Sequence, residues 1–66
     1  MNVGKLKGKM AECGISVDAL SSKTKIERSR LYRRLNNGEK FTVEEARLIK
    51  EVLELSNEDA SAIFFG

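Results

Sequence analysis

Residues 15–38 read ISVDALSSKTKIERSRLYRRLNNG. Ser16 is a good helix N-cap, and Asp18 follows in the first turn, where its charge suits the helix dipole. Val17, Ala19 and Leu20 supply the apolar content of a short helix that fades across Ser21 to Thr24. Ile26 stands alone among polar residues, as a buried side chain in a turn often does. A further helix is predicted from about Glu27 to Asn36, ended by Asn37-Gly38. Leu31 and Leu35 share its inner face. Ser29, Arg33 and Asn36 point away from them, with Arg30 and Arg34 on one flank, Tyr32 on the other and Arg28 at the exposed tip. A short helix, a tight turn and a basic second helix form the helix-turn-helix pattern, in which the second helix can enter the major groove of DNA.

The flanks are also helical. Val3, Leu6, Met10 and Cys13 repeat at spacings of three and four, a single stripe with Lys5, Lys7 and Lys9 off it. On that stripe Cys13 reads as a small core residue, and Gly14 can supply a left-handed cap. On the other side, Thr42-Val43-Glu44-Glu45 is a capping box, with Phe41 placed to staple against Ala46. Ala46, Ile49, Val52 and Leu53 form the inner side of that helix. Arg47–Glu51 and Lys50–Glu54 form outer pairs worth only ~0.3 kcal/mol each. Ser56-Asn57-Glu58-Asp59 repeats the capping logic for a last helix carrying Ala60, Ile63 and Phe64. No strand alternation of useful length occurs. The expected fold is all-α, a compact bundle of about five short helices in one domain over residues 1–66.

Composition narrows the function. The chain has 66 residues, no His, no Pro and one Cys. One Cys allows neither an intramolecular disulfide nor a structural zinc site. Without His, and with no nucleophile–base pair or cleft-sized scaffold, an enzyme is the reading least supported; no cofactor, metal or small-molecule substrate is implied. No apolar run approaches the ~18 residues of a membrane span, and nothing resembles a signal peptide, so the expected setting is cytoplasmic. The net charge of +2 hides a polarity. Residues 22–40 carry Lys23, Lys25, Arg28, Arg30, Arg33, Arg34 and Lys40 against Glu27 and Glu39, a net +5. Residues 41–66 carry Arg47 and Lys50 against Glu44, Glu45, Glu51, Glu54, Glu58 and Asp59, a net −4. A concentrated basic block points to an anionic partner, most commonly nucleic acid.

Gly14-Ile15-Ser16, Leu20, Ile26, Arg28-Ser29, Leu31, Arg33 and Leu35-Asn36 together resemble the lambda-repressor/Cro-type (XRE) helix-turn-helix family, and more narrowly the short phage and prophage regulators of Gram-positive bacteria. The run Phe41-Thr42-Val43-Glu44-Glu45-Ala46 and the ending Ile63-Phe64-Phe65 extend the resemblance over nearly the whole chain. The sequence departs from the family at the turn. Lys25 stands where a Gly is usual, so a residue with a Cβ must take a left-handed or adjusted conformation at a cost of about 1 kcal/mol. Thr24 replaces an aliphatic residue, and Glu27 replaces a Ser or Thr cap.

The resemblance implies a double-stranded DNA operator as partner. Arg28, Ser29, Tyr32 and Arg33 are the candidates for base-edge contact, Arg being the commonest reader of guanine. Lys23, Lys25, Arg30, Arg34, Asn36, Asn37 and Lys40 are the candidates for phosphate contact, which positions the protein without reading sequence. Such regulators usually work as homodimers, with recognition helices about 34 Å apart. Ile63, Phe64 and Phe65 are the candidate dimer surface; Ile63 and Phe64 can instead fold back onto their own core, which leaves Phe65 as the better candidate. The competing reading is a small protein-interaction module, an antirepressor or antitoxin-like adaptor that keeps the helix-turn-helix shape.

Overall fold

A computed structural model describes residues 1–65 as five helices: α1 (Val3–Cys13), α2 (Val17–Thr24), α3 (Arg28–Asn37), α4 (Val43–Val52) and α5 (Asn57–Phe64). No strand occurs among the described residues. The all-α reading is therefore correct, and α3 runs one residue later than its sequence suggests at each end. Gly66 lies outside the described residues.

Local chemistry sets the boundaries. The side chains of Asn2, Ser16, Thr42 and Ser56 each accept from a backbone N–H in the first turn of α1, α2, α4 and α5 respectively. Thr42 and Glu45 complete the reciprocal capping box. Gly14 ends α1 in the left-handed conformation, with its N–H donating to the Ala11 carbonyl and that of Ile15 reaching back to the Met10 carbonyl. The same paired closure ends α4, where Glu54 takes the left-handed position (φ 51°) and Leu55 donates to the Lys50 carbonyl. Glu54 thus leaves the helical path, and the expected Lys50–Glu54 pair does not form. The Lys50 ammonium donates to Asn57 Oδ1 instead. The Arg47–Glu51 pair is present at 3.2 Å, and Arg47 also meets Glu44.

Each helix contributes one fully buried side chain: Leu6, Leu20, Leu31, Ile49 and Ile63. Met10, Ile26, Leu35, Leu53, Leu55 and Phe64 complete the core around them. Each such side chain contributes roughly 1.5–3 kcal/mol relative to exposure, which is how 66 residues fold without a covalent staple. Helix α2 packs against both α3 and α4, and α5 packs against α1 and α4. The body measures 26 × 22 × 20 Å. The Asn2 N–H donates to the Ile63 carbonyl at 2.7 Å, tying the start of α1 to α5. Lys9 and Lys5 hold the same junction through Asp59, at 3.0 and 3.3 Å.

Cys13 is not a core residue. It lies at the last position of α1, exposed, with its thiol 3.7 Å from the Leu53 carbonyl oxygen. Its stripe runs past the end of the core, so the periodicity continues where there is nothing left to bury. No helix among the described residues is long and apolar enough to cross a membrane.

Candidate nucleic-acid interface

The connection between α2 and α3 is three residues, Lys25-Ile26-Glu27. Lys25 adopts φ 66°, the left-handed conformation that a Gly would take without strain, and its N–H donates to the Ser21 carbonyl at 2.8 Å. Two hydroxyls lock Ile26, the middle residue of the turn. Thr24 Oγ1 donates to the Leu20 carbonyl at 2.7 Å and accepts from the Ile26 N–H at 3.3 Å. Ser21 Oγ donates to the Ile26 carbonyl at 2.5 Å. Both backbone polar groups of Ile26 are thereby satisfied, so its side chain can enter the core without an orphaned amide. A buried hydroxyl at Thr24 does a job that an aliphatic side chain could not.

Helix α3 begins without a side-chain cap, because Glu27 makes none. Leu31 and Leu35 bury its inner face. Arg28, Ser29, Tyr32 and Arg33, the four residues expected at base edges, are all exposed. Their spacings of three and four, with Asn36 one turn further, place them on one helix face. Arg28 lies 3.4 Å from Asp18 of α2, and Arg33 lies 3.9 Å from Glu39. Both pairs are exposed and worth only about 0–1 kcal/mol, so an anion can displace the carboxylate cheaply.

Of the residues expected at phosphates, Lys23, Lys25, Asn36, Asn37 and Lys40 are exposed, Asn37 donating to Glu39. Arg30 is exposed as well and forms an ion pair with Glu45, its Nε 2.8 Å from Oε2. Arg34 departs from the expectation. Only 12% of its side chain is accessible. Its Nη1 donates to Glu45 Oε1 at 2.9 Å and to the Lys40 carbonyl at 2.6 Å. Its guanidinium belongs to the junction of α3 with the α3–α4 loop and is not free to meet a phosphate.

Glu45 is the residue whose role in this region sequence reasoning missed. Its carboxylate is buried, accepts from the Thr42 N–H and from Arg34, and forms an ion pair with Arg30. The capping box revealed the first contact; the other two span eleven and fifteen residues, beyond any local spacing rule.

The expected dimer surface is corrected in part. Ile63 and Phe64 are buried in their own core, Phe64 meeting Phe41 edge-on at 6.1 Å. Phe65 is 82% exposed, and Val43, which sequence reasoning did not single out as a surface, is 83% exposed. The two line one shallow groove between α4 and α5, with Ala46 and Phe64 at its floor.

Comparison of the chain with family models, with curated proteins and with solved structures finds no match.

Proposed function

We propose that this chain is a sequence-specific regulator that binds double-stranded DNA through a helix-turn-helix formed by α2 and α3, with α3 in the major groove. The supporting observation is the exposed face of α3, where Arg28, Ser29, Tyr32 and Arg33 stand together on a helix held by a three-residue, internally bonded turn. Arg28 and Arg33 read guanine through their forked N–H donors, while Ser29 and Tyr32 make the adaptable contacts. Lys23, Lys25, Arg30, Asn36, Asn37 and Lys40 meet phosphates along both flanks. Arg34 has a different part: it holds the end of α3 in place. In keeping with its resemblance to XRE-type regulators, the protein is a repressor or Cro-like factor of phage or prophage type, acting in the bacterial cytoplasm without cofactor or catalysis. A homodimer formed through Val43 and Phe65 supplies the second half-site contact.

The deciding experiment is selection of bound duplexes from a random pool, followed by anisotropy titration of the selected duplex from about 50 to about 200 mM salt. DNA binding predicts log K falling linearly with log salt, with a slope of about −0.9 per phosphate neutralised. An unenriched pool and no salt-dependent affinity overturn the reading. The Val43–Phe65 groove is equally compatible with the second reading, a protein-interaction module, which predicts that second outcome.

A further inference from the structure

The cluster around Glu45 joins the outer flank of α3 to the interior. One carboxylate takes two guanidinium groups. Oε1 serves the Thr42 N–H and Arg34 Nη1, both at 2.9 Å. Oε2 serves Arg30 Nε at 2.8 Å. The two arginines differ in accessibility: the Arg34 side chain is enclosed, whereas 44% of that of Arg30 is open to solvent. A guanidinium paired with a carboxylate on its Nε side keeps its two terminal nitrogens for another acceptor. A carboxylate lined by two guanidiniums also leaves the cluster with a net positive charge.

We infer that Glu45 is a positioning residue for DNA binding: it clamps Arg30 through Nε so that the terminal nitrogens of that side chain are set in advance for a backbone phosphate. The inference rests on the DNA-binding reading and deepens it. Arg30 otherwise carries the full rotamer freedom of a long side chain, and ordering it on binding costs about three- to tenfold in affinity. The clamp makes that ordering part of folding. Its contribution falls on phosphate affinity and leaves base discrimination untouched.

Glu45→Gln isolates the clamp. The amide oxygen can keep the place of Oε1 toward Thr42 and Arg34, while the amide NH2 takes the place of Oε2 and carries no charge to pair with Arg30. The probes are the duplex selected from a random pool and an unrelated duplex of equal length, titrated with the full chain, with thermal melting as a control on folding. Glu45→Gln is expected to weaken binding to both duplexes by about three- to tenfold and to leave their ratio unchanged. In an Arg30→Ala background the same substitution is expected to produce no further loss. Arg30→Lys, an exposed change that keeps the charge and loses the fork, is expected to match Glu45→Gln and to be insensitive to it. A simple charge effect makes the opposite prediction: removing an anion strengthens DNA binding in every background. Unchanged or tighter binding by Glu45→Gln, a loss that persists in Arg30→Ala, or wild-type affinity for Arg30→Lys each overturns the inference. Absence of salt-dependent binding by the wild-type chain is a separate result and overturns the DNA-binding reading itself.

Discussion

The Arg34 guanidinium lies over the Phe41 ring, 5.5 Å from its centroid. Phe41 in turn meets Phe64 edge-on, with the two rings at 84°. A cation from the middle of the basic block is thus part of the packing that joins α3, α4 and α5. Replacing it by Ala removes the donor to the Lys40 carbonyl and leaves Glu45 with the Thr42 N–H and Arg30 as its partners. Breaking a fully buried pair costs about 3–5 kcal/mol, but here Arg30 remains and Arg34 Nε is itself buried without an acceptor. Arg34→Ala is therefore expected to cost about 2–3 kcal/mol of stability in urea unfolding. DNA affinity measured where the variant is fully folded should change little.

Lys25 carries backbone strain at φ 66°. Lys25→Gly removes the Cβ penalty, offset in part by the freer unfolded chain. A net gain of about 0.5–1 kcal/mol is expected, seen as a rise of several degrees in melting temperature for a domain this small. The same substitution removes one of the proposed phosphate contacts, so DNA affinity should fall as stability rises.

Arg33 and Lys23 separate reading from holding. Arg33→Ala should cost about 1–3 kcal/mol of DNA affinity and relax discrimination at one base pair. Lys23→Ala should weaken all duplexes about equally and lower the salt slope by about one. Gel-shift titrations on selected and scrambled duplexes distinguish the two patterns.

Stability should depend on pH through the α1–α5 junction. Hydrogen bonds from Lys9 and then Lys5 hold the Asp59 carboxyl below its ordinary 3.8. A depressed carboxyl contributes stability that is complete above its unfolded value and is lost as pH falls through the lower folded one. Hydrogen bonding to Asp59 raises the Lys9 ammonium above 10.5, so its share is complete below 10.5 and is lost as pH rises through the higher folded value. Asp59→Asn should remove this group's share of the acid limb of the profile of urea midpoint against pH and reduce the alkaline limb only in part, because Glu12 stays 3.3 Å from Lys9 and also raises it.

The proposed dimer contact is tested by changing both exposed apolar residues. Val43→Thr with Phe65→Ser should leave melting of the monomer near its wild-type value, because both side chains are over four-fifths exposed. Sedimentation across concentration should show self-association in the wild-type chain and none in the double variant.

Local signals were legible in the sequence, and long-range ones were not. Ser16, Thr42, Ser56, Gly14 and Gly38 announce helix ends because a cap acts within four residues of itself. Leu31 and Leu35 announce the buried face of α3 because helical spacing carries that information. The same spacing misled at Cys13, since a stripe does not reveal where its neighbour stops. It was equally silent at Glu54, a non-glycine residue in a left-handed position, and so suggested a pair with Lys50 across a turn that does not exist. On α3, the exposed Arg28, Arg30 and Arg33 stand where its periodicity puts them. Arg34 does not, because its placement depends on Glu45 and Phe41, which arrive from another helix and another loop.

The five fully buried side chains, one from each helix, have a consequence for motion. Detaching any one helix withdraws its side chain from that shared core and leaves a void there, so local opening carries a cavity cost. Helix α3 thus draws rigidity from the core it helps to fill. Its inner amides, near Leu31 and Leu35, should exchange with solvent deuterium far more slowly than those of its uncapped first turn, and it meets a partner as a preformed rod with little ordering left to do.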